Sequence, residues 1–86
     1  MELLNISYLK KGKILGFFDR FPYSKVVFSP VKNYYFISDI HWDERDSVVT
    51  SEDLEKMELL FNSYLGKESV YLKRKSRNKE KLKHNA

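Results

Sequence analysis

The seventeen residues TSEDLEKMELLFNSYLG, Thr50 to Gly66, decide the fold class. Leu54, Met57, Phe61, Tyr64 and Leu65 fall within about one 100° arc at 3.6 residues per turn, the pattern of a helix with one apolar face. Thr50 is placed to cap that helix, its hydroxyl accepting from the backbone N–H of Asp53. Val49 and Leu54 occupy the two staple positions. Glu52 and Asp53 set negative charge in the first turn, against the positive end of the helix dipole. Gly66 supplies the left-handed residue that ends the helix. An apolar stripe needs a surface to pack on, and everything upstream reads as strand. The expectation is an α+β fold with this helix on one face of a sheet.

Upstream, β-branched and aromatic residues alternate with turn chemistry. Strands are predicted near Leu3–Leu9, Ile14–Phe18, Lys25–Ser29 and Tyr34–Trp42. Lys10 to Lys13, KKGK, has Gly12 where a tight hairpin needs positive φ. Pro22 in DRFPYS cannot donate to a central ladder, and Pro30 with Asn33 in SPVKN marks another turn. Connections this short favour antiparallel neighbours, hence a four-stranded meander. Downstream, Ser69–Lys73 reads as a short fifth strand. The chain from Lys73 on is nearly all polar and is predicted to be disordered. The domain division is therefore 1–72 for a single α+β domain and 73–86 for a basic tail.

The strand that leads to the helix ends in FISDIH, Phe36 to His41, followed by Trp42, Asp43, Glu44, Arg45 and Asp46. FISDIH resembles the Asp-x-His strand end of calcineurin-like metallophosphoesterases, which implies a two-metal hydrolase with Asp39 and His41 as ligands. Trp42 stands where that family places a glycine. Its Gly-Asp, Gly-Asn-His and Gly-His-x-His companions are absent, and His84 is the one other histidine. Two metal ions need more ligands than one strand offers. No serine, cysteine or second histidine is placed to form a nucleophile–base pair. The reading is no enzyme, no catalytic residue, no metal and no cofactor. Strict alternation assigns Phe36, Ile40 and Trp42 to the core and turns Asp39 and His41 to solvent.

Charge is the stronger signal. The net charge of +4 divides into +4 over residues 1–38, −6 over residues 39–58 and +6 over residues 59–86. Seven cations lie between Lys73 and Lys83 against one acid, Glu80. Such a segment attracts polyanions by counterion release and reads charge, not base edges. Lys10, Lys11 and Lys13 in the first hairpin, with Lys73, Arg74, Lys75 and Arg77, are the candidate phosphate contacts. The acidic centre suggests a second class of function, docking onto a basic protein surface. Asp39, Asp43, Glu44, Asp46 and the lone exposed leucine of the helix, Leu59, are its candidates. One helix covers one sheet face, so aromatic surface is expected on the other, where Tyr35 and Ile37 face away from Phe36 and Ile40. That surface suits base stacking, a protein partner or a homodimer.

The 86 residues allow one small domain with no room for a deep, walled active site. There is no cysteine. The N-terminus does not read as a signal peptide, and no apolar run reaches the roughly 20 residues of a membrane span. These features predict a soluble, cytoplasmic protein. Abundant Lys, Asn, Phe, Tyr and Ile match the codon bias of an AT-rich genome, as in low-GC bacteria and their phages. The leading expectation is a small non-catalytic binding module that contacts nucleic acid or a nucleoprotein through its basic tail and hairpin turn. The alternative is a phage- or mobile-element-encoded inhibitor or adaptor that binds a protein through segment 39–58 and the open aromatic face.

Overall fold

A computed structural model describes residues 1–84, with side chains through Ser76. Its elements run β1 (Leu3–Tyr8), a 3-10 turn at Lys10–Gly12, β2 (Ile14–Phe18), β3 (Phe21–Val31), β4 (Tyr34–His41), α1 (Ser51–Tyr64) and α2 (Glu68–His84). The four strands form one antiparallel sheet in the order β1-β2-β3-β4, the predicted meander. α1 packs on one face. Ile14, Phe18, Phe21, Val26 and Phe28 from the sheet meet Met57 and Phe61 from the helix in the core. The rings of Phe28 and Phe61 stack at 3.8 Å between centroids, and Tyr35 meets Phe61 edge-on at 5.5 Å. Gly16 makes this stack possible: a Cβ there would lie 2.8 Å from a Phe28 ring carbon.

β3 is longer than its sequence suggests and contains both prolines. Residues 22–24 have no ladder partner on either side, so Pro22 removes no ladder bond. Pro30 pairs with Tyr35 of β4 and lies beyond the last β2 pair, Ile14 with Phe28. The β3–β4 turn is Lys32–Asn33, with Lys32 at a φ of 52°.

The alternation reading of β4 is corrected. Val27 pairs with Asp39 but Phe28 pairs with Ile37, so Ser38 is an extra residue, a β-bulge. The bulge resets the phase. Tyr35, Ile37 and Ile40 all pack toward the core, while Phe36 takes the opposite face. Trp42 lies past the strand end and is 47% exposed. Tyr64, assigned to the apolar stripe of α1, is also out of the core, at 64% exposure.

The predicted fifth strand is corrected too: residues 68–84 form α2, which replaces both that strand and the unstructured tail as far as His84. Ser69–Lys73 is too short to distinguish strand from helix by periodicity, and the Lys, Arg, Glu and Leu that follow are good helix formers. Tyr71 anchors α2. It is buried, packs 6.2 Å from the ring of Tyr34, and donates its hydroxyl hydrogen to Glu58 Oε1 at 2.8 Å. Burial, then the Glu58 carboxylate, raises the Tyr71 pKa above its ordinary value. No helix among the described residues is long and apolar enough to cross a membrane.

Candidate functional site: a basic end and an aromatic groove

In a meander, alternate turns share an end of the sheet. The β1–β2 loop and the β3–β4 turn therefore sit together: Gly12 lies against Pro30, a Cβ on it falling 3.5 Å from the proline ring. Both turns carry lysines at positive φ, Lys11 at 63° and Lys32 at 52°. α1 runs back to the same end, and Gly66 at φ 73° turns the chain into α2 there. Lys32, Asn33, Val70, Lys73 and Arg74 line a cleft of about 310 Å³ between the turn and α2. The fold thus places Lys10, Lys11 and Lys13, Lys32, and Lys73 with Arg74 at one end of the molecule.

Two of the candidate cations fare differently. Lys75 turns inward: its Nζ is 3.7 Å from Glu58 Oε1 and 5.8 Å from the centre of the Tyr71 ring. Arg77 belongs to α2, with its side chain outside the described ones. Lys32 was missed by sequence reasoning, which read SPVKN only as a turn. The signal that finds it is topological, since a four-stranded meander must present its first and third turns together.

Half of the acidic centre, four of its eight carboxylates, is used inside the fold. Asp46 is buried, accepting from the Tyr23 backbone N–H at 3.1 Å and from the Ser24 hydroxyl at 2.6 Å. It serves the part of β3 that has no neighbouring strand. Asp43 forms a bidentate pair with Arg45, Nε to Oδ1 and Nη2 to Oδ2 at 3.0 Å each. That hydrogen bonding from Arg45 holds the Asp43 carboxyl down to about 2. Asp53 completes the Thr50 capping box, and bonds from the Thr50 backbone and hydroxyl lower its pKa. Glu58 accepts from the backbone N–H of Ile37 at 2.9 Å. Among the docking candidates only Asp39 and Glu44 remain fully on the surface, and Leu59 is half-buried. Asp39 lies 3.5 Å from His41, both exposed. Among the described residues no group of three or more His, Cys, Asp or Glu side chains converges as a metal site would require.

On the sheet face away from α1, Leu9, Leu15, Tyr23, Lys25, Val27, His41, Trp42, Asp43 and Arg45 line an open groove of about 730 Å³. The Arg45 guanidinium lies 3.9 Å above the centre of the Tyr23 ring. The Trp42 indole N–H donates to the Ser47 carbonyl at 3.0 Å, which fixes its ring at the groove wall. The aromatic part of this face comes from Tyr23, near the start of β3, and Trp42, just past β4, and not from Tyr35, which packs into the core beside Ile37.

A family model of uncharacterised YuzH proteins matches residues 2–76, so the chain belongs to that family. No curated protein and no solved structure matches it.

Proposed function

We propose that this YuzH-family chain is a small, non-catalytic, cytoplasmic binding module, without a cofactor, that contacts nucleic acid or a nucleoprotein through its basic end. The observation that carries this is the convergence of Lys10, Lys11, Lys13, Lys32, Lys73 and Arg74 from three separate segments on one end of the fold. Six cations engaging six phosphates give log K against log salt a slope of about −5 on a duplex and about −4 on a single strand. Lysines dominate, which favours point-charge contacts over bidentate recognition and hence binding indifferent to sequence. The alternative, an inhibitor or adaptor docking through the acidic segment, has less support because Asp43, Asp46, Asp53 and Glu58 already have partners within the fold.

Fluorescence anisotropy with labelled duplex and single-stranded oligonucleotides over a salt series tests the proposal. Binding is expected at low salt, and Lys32→Glu with Arg74→Glu should weaken it on every sequence and flatten the salt slope by about 2. An absence of binding at low salt, or binding indifferent to both reversals, overturns it. Trp42 is the single tryptophan, so its fluorescence reports separately whether the bound strand reaches the groove.

A further inference from the structure

The two edges of the sheet are finished differently. On the first half of β4 the outward backbone groups are covered by α1, while past the bulge the Ile40 N–H bonds its neighbour's Asp39 Oδ1 at 2.8 Å. Tyr35 donates its N–H to Asn62 Oδ1 at 2.9 Å, Asn62 Nδ2 donates back to the Tyr35 carbonyl at 2.9 Å, and Ile37 donates to Glu58 Oε2. This closes the Tyr35–Ile37 part of the edge to another strand. On β1 no helix side chain among the described residues makes such bonds. The Leu9 N–H bonds the Lys13 carbonyl at 2.8 Å, which sets the ladder phase: Asn5, Ser7 and Leu9 face β2, and Ile6 and Tyr8 turn their N–H groups outward. Ile6 N–H has only its neighbour's Asn5 Oδ1, at 2.9 Å.

The strand LLNISY carries no charge and no proline, two of the devices that protect an edge; its one irregularity is a bulge at Leu4, near its start, which leaves Asn5 to Tyr8 in regular phase. Large exposed apolar side chains gather here. Leu4 is 59% and Tyr8 74% exposed, and the displaced Tyr64 lies beside Leu3 to Ile6.

We propose that β1 pairs antiparallel with β1 of a second copy, about a two-fold axis through Ile6, to give a continuous eight-stranded sheet. The register follows from geometry. Outward-facing residues must meet outward-facing residues, so the axis passes through a residue and not between two. An axis at Ile6 sets Tyr8 of each copy opposite Leu4, the bulged residue, of the other, and brings the Glu2–Asp19 corner of each copy toward the Lys10–Gly12 turn of the other. Moving the axis to Asn5 or Ser7 takes Tyr8 away from Leu4. The charges select a second copy as the occupant. Glu2 and Asp19 are joined at one corner by bonds of 2.8 Å and 3.0 Å between Glu2 and Asp19 atoms. Lys10 and Lys11 stand in the turn just past the other end of the strand, so a two-fold rotation brings acidic corner to basic corner twice. The axis is normal to the sheet, leaving both α1 helices on one side with the two Tyr64 rings flanking the seam. The interface lies at the sheet edge and leaves the open face free.

Light scattering and sedimentation over a concentration series, without nucleic acid present, test this. The native chain should dimerise, while Leu4→Lys and Tyr8→Lys should each remain monomeric with an unchanged circular dichroism spectrum. Glu2→Lys and Lys10→Glu should each weaken the dimer roughly tenfold at low salt, since each reverses a charge at both symmetric corners, and the double swap should restore it. A monomer at every concentration overturns the proposal. So does a dimer indifferent to Leu4→Lys and Tyr8→Lys, which would place the contact elsewhere. Because mass is read without nucleic acid, failure here leaves the binding function standing, and the reverse.

Discussion

Gly16 and Asn62 show how single residues hold this fold. Gly16 permits the Phe28 ring to cross β2, and Gly16→Ala should cost about 1–3 kcal/mol in urea unfolding because ring and backbone must shift. Asn62 is fully buried and bonds both backbone groups of Tyr35 and the Glu58 carbonyl. Asn62→Ala strands the two Tyr35 groups and should cost about 2–4 kcal/mol by the same measurement. Neither role was legible in the sequence. Asn62 lies beside the apolar stripe and looks like a surface amide until β4 is known to run alongside it. Asp43 looked like a free acid for docking; Arg45, two residues on, claims it. Its folded pKa lies below the ordinary 3.8, so its contribution is present above about pH 4 and lost as pH falls toward about 2. Arg45→Ala should move the Asp43 titration back toward 3.8 by NMR.

Among the elements, α1 was read most completely because its signals are local. Thr50 and Asp53 form the reciprocal capping box, with Asp53 N–H to Thr50 Oγ1 at 3.2 Å and Thr50 N–H to Asp53 Oδ2 at 3.0 Å. At the other end Lys67 N–H bonds the Asn62 carbonyl at 2.7 Å and Gly66 N–H the Ser63 carbonyl at 3.1 Å, a Schellman closure. Thr50→Ala should cost about 1 kcal/mol in thermal or urea unfolding. α2 was misread because its fate depends on a distant partner: Tyr71 is buried only if Tyr34 and Glu58 are brought beneath it. The raised folded pKa of Tyr71 makes its contribution full below pH 10, its unfolded value, and lost as pH rises beyond that. Tyr71→Phe should remove this alkaline sensitivity, seen as a flatter stability profile above about pH 10, while costing about 1 kcal/mol at neutral pH for the lost hydroxyl bond. Residues 68–76 should also exchange amide hydrogens faster than α1, since few contacts beyond Tyr71 and Lys75 hold them down.

Over the whole molecule, charge follows topology. The sequence showed basic ends around an acidic centre; the fold turns this into a basic end, served by two hairpin turns and the start of α2, and an acidic segment half of whose carboxylates are taken up by hydrogen bonds within the fold. Deleting residues 73–86 should therefore weaken oligonucleotide binding without abolishing it, because Lys10, Lys11, Lys13 and Lys32 remain. A loss no larger than that of Lys73→Glu would argue that the cations beyond it add little. The sequence by itself determined the four-stranded antiparallel meander, α1 and its caps, because periodicity and turn chemistry act over a few residues, but it added a fifth strand where α2 forms. Tertiary structure alone decided the phase of β4, the burial of Asp46, the helix of α2 and the place of Lys32. Each of these depends on a group far along the chain: a bulge set by pairing with Val27 and Phe28, a stretch of β3 without neighbours, a tyrosine needing a floor, and two turns sharing one end.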